Sequence, residues 1–230
     1  MADGLVTANP AAGLPNPAAP AARRRALDDA ELAELIDSVR TTSNDPDLNL
    51  LLVRFHLESG ARRGGALDLR RRDLDTRRAT VWLREKGANE REQPVSPTLI
   101  TLLDRHARSR GAATPDDAVF RTACGTPITR RRYDTMFDRA HACLTWSDRI
   151  PVSAHVLRHT AITAIGRLAG YPVAQALAGH IPPSVTGLYL QASPAEVAAT
   201  VAAMTGKAHP LAGDYRGRRE PARRPARHRQ

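Results

Sequence analysis

The sequence predicts a mostly helical α+β fold, with a small antiparallel β-sheet at one edge of a single domain. Two observations lead to this prediction. Apolar residues recur at helical spacing through most of the chain, and the strand-like segments are few, short and close together in sequence. A chain of 230 residues is long enough for one substantial core. It has no run of about 18 apolar residues, so we expect no membrane span.

Helix boundaries are indicated by capping residues, proline and glycine. Apolar spacing predicts a first helix over residues 28–40, and Pro46 and Gly60 bracket a second. Ser193 and Glu196 form a capping-box pattern at the start of a last helix, which ends near Thr205. Further helices are predicted at residues 99–110, 129–144, 153–170 and 172–178.

Strand-like segments are predicted at residues 66–69, 79–84, 91–95 and 118–120. The second and third flank the sequence KGANE, residues 86–90, whose glycine and asparagine are typical of a tight turn. Lys86 is therefore predicted to lie at a hairpin tip. It is one of only two lysines beside 32 arginines, and lysine, unlike arginine, can give up a proton when its pKa is lowered.

The termini differ in composition from the rest of the chain. Residues 1–26 form an Ala- and Pro-rich arm and residues 207–230 an Arg-rich tail, and we expect both to be disordered around a domain at residues 27–206. The net charge of +10 indicates an anionic partner, and residues 216–230 alone hold seven arginines. Arg216, Arg218 and Arg219 are candidate weak contacts for that partner. Cys124 and Cys143 form no metal or disulfide pattern, so we expect a reducing cytoplasm. The sequence shows no acidic metal cluster, P-loop or zinc-ligand spacing, so we expect no cofactor.

Six residues have the chemistry needed to transfer a phosphodiester, and they occur in the order Arg62, Lys86, His155, Arg158, His180 and Tyr189. His155 and Arg158 are three apart, so a helix places both on one face. Each residue also has an ordinary interpretation. Arg62 would then lie in a surface turn and Lys86 on a solvated hairpin. His155 would be a structural histidine, with Arg158 exposed on the same helix. His180 would lie at a helix end, and Tyr189 in the core.

The ordered set resembles the catalytic domain of tyrosine recombinases, the phage integrase family, over residues 27–206. The segments that carry the resemblance are SGARR at 59–63, HVLRHT at 155–160, GH at 179–180, and Tyr189 nine residues after His180. It implies that Arg62 and Arg158 bind the scissile phosphate, with His155 and His180 assisting and Arg63 nearby. Lys86 would protonate the leaving oxygen, and Tyr189 would be the nucleophile. Gly65 stands where the family often has a glutamate that pairs with the arginine, so Arg62 needs another means of orientation.

The resemblance also implies double-stranded DNA as substrate and a homo-tetramer on paired DNA sites, in the cytoplasm at the nucleoid. Two alternatives stay open: a non-catalytic DNA-binding remnant of an integrase, and a relaxing enzyme like type IB topoisomerases. Few residues precede the first predicted helix, whereas the family usually carries a separate core-binding domain there. We therefore expect the isolated chain to bind DNA weakly. The apolar stripe on the last helix is expected to pack on a neighbouring protomer or on its own core.

Overall fold

A computed structural model describes residues 25–85, 89–179 and 192–214 of the chain. These residues form a mostly helical domain with one three-stranded antiparallel sheet, as predicted. The elements are α1 (Asp29–Thr41), α2 (Pro46–Ser59), α3 (Arg63–Leu67), β1 (Leu74–Asp75), β2 (Thr80–Glu85), β3 (Asn89–Pro94), α4 (Pro97–Ser109), α5 (Arg130–His141), α6 (Ala154–Ala169), α7 (Tyr171–Ala178) and α8 (Pro194–Thr205). None of the helices in these ranges is long and apolar enough to cross a membrane.

The predicted capping residues begin their helices as expected. Asp28 forms a capping box with Glu31, whose backbone N–H donates to the Asp28 carboxylate over 2.8 Å. Thr129 and Ser153 accept hydrogen bonds from the first turns of α5 and α6. These side chains satisfy backbone donors that have no partner within the helix, so the sites at which α5 and α6 begin follow from local sequence.

The predicted hairpin is also confirmed. Strands β2 and β3 pair antiparallel, with Leu83 opposite Arg91 and Glu85 opposite Asn89, and β1 adds to the other edge of β2. Alternate residues of β2, such as Val81 and Leu83, are fully buried, which fixes the register against the helices. The tip at residues 86–88, including Lys86, lies outside the described residues.

The predicted strand at residues 66–69 is wrong. Residues 63–67 form α3 instead, and the chain then makes a single β-bridge between Arg70 and Ala118. The segment ALDL at residues 66–69 is too short for its apolar residues to distinguish a helical turn from a strand. The predicted strand at 118–120 is reduced to isolated bridges of this kind, with the Val119 N–H donating to the Leu69 carbonyl over 2.9 Å.

Buried apolar residues form two clusters. The larger joins α1, α2, α4, α5 and the sheet, with Leu35, Phe55 and Leu99 among its buried members. The smaller joins α6, α7 and α8, where Val197 and Val201 of α8 pack with residues of the other two helices. Thus α8 covers the core of its own chain, which was one of the two arrangements considered for its apolar stripe.

The chain continues in ordered form after α8, although residues 207–230 had been predicted to be a disordered tail. Pro210–Asp214 forms a 3-10 helix, and His209 is buried beside the sheet. The His209 Nε2–H donates to the Ala79 carbonyl over 3.0 Å, and Nδ1 accepts from the Leu211 N–H over 3.1 Å. Burial lowers the pKa of the His209 imidazole. This histidine therefore fastens the segment after α8 to the start of β2.

Candidate active site

Arg62 lies in the short turn that joins α2 to α3. Gly60 ends α2 in the left-handed region, with φ of 59°, and Arg62 occupies the position just before α3 two residues later. A side chain at residue 60 would place its Cβ 3.1 Å from Leu177 Cγ, so glycine is required both by its φ and by contact with α7. The turn that carries Arg62 is therefore held against α7.

Arg158 lies one helical turn after His155 on α6, but the two side chains have different surroundings. His155 is exposed, whereas Arg158 retains only 3% of its accessible surface. The Arg158 guanidinium donates to the carbonyl oxygen of Gly60 and to that of Ala178, the last residue of α7. The alternative in which Arg158 is an exposed surface residue is therefore wrong.

These segments enclose a cavity of about 410 Å³. Its lining brings together Arg62, Arg63, His155 and Arg158, from the α2–α3 turn, α3 and α6. Four groups that can donate hydrogen bonds to an anion thus line one cavity. The remaining lining residues are Tyr133, Asp134, Phe137, Asp138, Val152, Ser153 and Ala154.

The cavity also contains carboxylates, which the sequence analysis had not anticipated. Asp134 on α5 accepts a hydrogen bond from Arg63 Nη1 over 2.5 Å, and Asp138 lies one helical turn further along. Gly65 leaves α3 without the glutamate that the family often carries. In this chain a carboxylate reaches the arginine pair from α5, and it binds Arg63.

The end of α7 completes the described part of the site. Gly179 ends this helix in the left-handed region, with φ of 59°, and a Cβ at this position would lie 2.7 Å from Arg91 Nε. Arg91 of β3 therefore packs directly over the residue that precedes His180. His180, Tyr189 and Lys86 lie outside the described residues, as do Arg216, Arg218 and Arg219.

The buried pair His56 and Tyr133, next to the site, was also missed by sequence reasoning. His56 is fully buried in α2, where its Nδ1 donates to the Ala61 carbonyl over 2.9 Å, and its Nε2 bonds the Tyr133 hydroxyl. The sequence shows only a histidine beside the apolar residues of α2, one turn before the glycine that ends it, and nothing local links it to Tyr133. Within the described ranges, no group of three or more metal-ligating side chains forms a cluster.

Two arginines and a histidine thus line one cavity of a mostly helical domain with a small antiparallel sheet. The chain belongs to the phage integrase family, whose match covers residues 25–196. The resemblance noted in the sequence is thereby confirmed.

Individual relatives are similar to this chain over most of its length. The tyrosine recombinase XerC of Salmonella typhi is 29% identical over 202 residues, which cover 82% of this chain and 63% of XerC. The putative integrase/recombinase y4rE of Sinorhizobium fredii is 31% identical over 186 residues, covering 74% of this chain and 60% of y4rE. This chain thus spans about three fifths of the length of these curated relatives.

Solved structures confirm the fold class. The Tn1549 transposon integrase in complex with circular intermediate DNA superposes with a TM-score of 0.57 at 19% identity, covering 77% of this chain and 64% of that chain. XerA recombinase gives a TM-score of 0.56 at 20% identity, with 80% and 64% covered. The lambda integrase catalytic core gives 0.56 at 15% identity, with 70% of this chain and 95% of that chain covered.

Proposed function

We propose that the chain is the catalytic domain of a site-specific DNA recombinase that cleaves and rejoins DNA through a 3′-phosphotyrosine intermediate. The observation that carries the proposal is the convergence of Arg62, His155 and Arg158 in one cavity, from segments that are far apart in sequence. Membership of the phage integrase family supports it. Phosphoryl transfer requires mainly positioning and charge stabilisation, which this set of cations supplies.

In this proposal, Arg62 and Arg158 neutralise the non-bridging oxygens of the scissile phosphate, and His155 donates a hydrogen bond to the same group. The Tyr189 oxygen attacks phosphorus and loses its proton, with His180 assisting. The bond from phosphorus to the 5′ oxygen breaks, and Lys86 supplies the proton that this oxygen needs. Attack of another strand's 5′ hydroxyl on the phosphotyrosine reverses these bond changes, so the energy of the ester is kept.

The proposed substrate is double-stranded DNA. Support comes from integrase and recombinase structures of the same fold that were solved with DNA, among them XerH bound to its difH substrate. We further propose that four copies assemble on two paired sites, as the family resemblance implies, and that the protein works at the nucleoid. Arg216, Arg218 and Arg219 are proposed to add phosphate contacts outside the cavity.

A suicide substrate tests the chemistry. A duplex nicked just 3′ of the cleavage site loses its short leaving strand by diffusion, so a phosphotyrosine ester accumulates and survives denaturing electrophoresis. We expect the unchanged chain to form this adduct and Tyr189→Phe to form none, while both bind the duplex equally. Tyr171→Phe is the matched control, because Tyr171 is the most exposed of the large apolar side chains in the described ranges, and we expect it to react normally.

Three other outcomes would redirect the proposal. An adduct that persists in Tyr189→Phe would move the nucleophile to another tyrosine. DNA binding without any adduct would favour the alternative of a non-catalytic DNA-binding protein. Relaxation of a supercoiled plasmid without sequence preference would favour the topoisomerase-like alternative.

A further inference from the structure

The backbone on either side of Ala61 is fixed by three hydrogen bonds. The Ala61 N–H donates to Ser59 Oγ over 3.1 Å, and the Gly60 carbonyl accepts from Arg158. The Ala61 carbonyl accepts from His56 Nδ1 over 2.9 Å. Because a peptide unit is planar, the bond to the Ala61 carbonyl also sets the direction of the Arg62 N–H and the position of its Cα.

His56 can make this bond only with the correct tautomer. A carbonyl oxygen accepts but cannot donate, so Nδ1 must carry the hydrogen. In the neutral ring the other nitrogen is then an acceptor, and the Tyr133 hydroxyl is placed to donate to it. Tyr133 thus selects the imidazole form that holds Ala61, just as a hydrogen bond to the far nitrogen of a metal-binding histidine fixes its tautomer.

Tyr133 is itself held rigidly. It is 1% exposed, and its ring meets the His56 ring edge to face, with centroids 5.7 Å apart, and lies 5.8 Å from Phe137. The next residue along α5, Asp134, binds Arg63. Helix α5 therefore contacts the turn at residues 59–63 at two points. Tyr133 reaches the backbone before Arg62 through His56, and Asp134 binds the Arg63 side chain.

We infer that His56 and Tyr133 are positioning residues that hold the Arg62 turn in the geometry for binding phosphate. This inference rests on the proposed role of Arg62. It also accounts for Gly65, because a buried histidine–tyrosine pair fixes the backbone of the arginine where the family often uses a glutamate. In this inference, the effect of His56 and Tyr133 on the reaction passes through Arg62.

A double-mutant cycle on the cleavage rate tests the inference. Tyr133→Phe removes one hydroxyl and leaves the ring in place, and we expect it to slow single-turnover cleavage about tenfold to a hundredfold, as a small misplacement of a catalytic group does. In a background of Arg62→Ala, the same change should have almost no further effect, because the group that it positions is absent. An equal loss in both backgrounds would overturn the inference.

Two substitutions of His56 distinguish a positioning role from a packing role. His56→Asn retains a donor close to the place of Nδ1, whereas His56→Leu fills the space without one, so Asn should keep more activity than Leu at matched stability. Val39→Ala is the control for stability alone, because Val39 is buried in α1, which contributes no residue to the lining of the cavity. We expect it to lower the melting temperature without slowing cleavage. Equal activity of the Asn and Leu variants would contradict the inference.

Hydrogen exchange provides a readout that does not depend on catalysis. Amide exchange over residues 59–63 should accelerate in Tyr133→Phe and His56→Leu but not in Val39→Ala. Unchanged exchange in this turn would overturn the inference even if the chain cleaved no DNA. Faster exchange in a chain that forms no adduct would instead support the positioning role and count against the proposed function.

Discussion

The guanidinium of Arg158 donates a hydrogen bond to the carbonyl oxygen of Gly60, 98 positions earlier in the chain. The same guanidinium also donates to the carbonyl of Ala178. One buried side chain thus joins the turn that precedes Arg62 to the helix end that precedes His180. A change at residue 158 therefore alters the position of both segments as well as removing a charge from the cavity.

Arg158→Lys should lower both stability and cleavage. A lysine keeps the charge, but its single ammonium group cannot reproduce the planar fork that reaches two carbonyls, so we expect at least one carbonyl to lose its partner. An unsatisfied buried acceptor costs about 1–3 kcal/mol, which urea unfolding measures directly. Arg167→Lys, on an exposed part of the same helix, is the control and should leave both properties unchanged. Equal stability of the two variants would contradict the importance of the two carbonyl bonds.

Asp134→Asn should tighten DNA binding. The change removes a negative charge from the cavity lining and weakens the hold on Arg63, which could then meet a phosphate. If it makes one new phosphate contact, the salt dependence of binding should steepen by about 0.9 in log–log slope. Asp116→Asn breaks a comparable surface pair, with Arg72, away from the cavity and should have no such effect. Weaker binding in Asp134→Asn would show that the carboxylate holds Arg63 in place for DNA.

Lys86→Ala should slow cleavage of ordinary DNA far more than cleavage of DNA with a 5′-bridging phosphorothiolate. A thiolate leaves without a proton, so this substrate bypasses a general acid, whose loss typically costs about 10²–10⁴ in rate. Lys207→Ala removes the other lysine of the chain and serves as the control. Equal losses on the two substrates would leave Lys86 as a phosphate contact only.

Gly179→Ala should destabilise the protein more than Gly206→Ala. Both glycines end a helix at positive φ, 59° and 63°, so both variants bear the backbone cost of about 1–2 kcal/mol. A Cβ at Gly206 meets nothing within 4 Å, whereas one at Gly179 lies 2.7 Å from Arg91 Nε. Arg91 must then move, at the expense of its 2.9 Å hydrogen bond to Gln93. Equal unfolding free energies would show that Arg91 relocates without cost.

Truncation after Asp214 should reduce DNA affinity without affecting stability, whereas truncation after Gly206 should affect both. Either cut removes the seven arginines of residues 216–230, and the log–log salt dependence should flatten by about 0.9 for each phosphate that the shortened chain no longer binds. Only the longer cut removes buried His209 and its bond to the Ala79 carbonyl, at about 0.5–1.5 kcal/mol, because the Val95 N–H still donates to that carbonyl. An unchanged slope would exclude the tail from DNA contact. Equal stability of the two truncations would contradict the role of His209.

The elements that sequence predicted well are those determined by near neighbours. Asp28, Thr129 and Ser153 cap helices through bonds within three residues, and the β2–β3 hairpin follows from alternation around a short turn. The short helix α3 was mistaken for a strand because a segment as short as ALDL is compatible with either period. Its identity depends on packing that is remote in sequence.

The candidate site was also predicted only in part. The order and spacing of Arg62, His155 and Arg158 predicted that they belong together, and the structure places them in one cavity. The burial of Arg158 was not predictable, because it requires the ends of α2 and α7 to meet at one side chain. The bond between His56 and Tyr133 spans 77 positions and has no local signal, and the same is true of Asp134 beside Arg63.

The surroundings of Arg158 have a consequence for how the protein folds. The ends of α2 and α7 that it bonds both carry the partial negative charge of a helix C-terminus, roughly half an elementary charge each. These two dipoles replace much of the hydration that the cation loses on burial, so its burial does not depend on a counter-ion from nucleic acid. The domain should therefore fold fully without DNA. DNA binding then does not have to supply the free energy of bringing the ends of α2 and α7 together around Arg158. The affinity for DNA is not lowered by that cost.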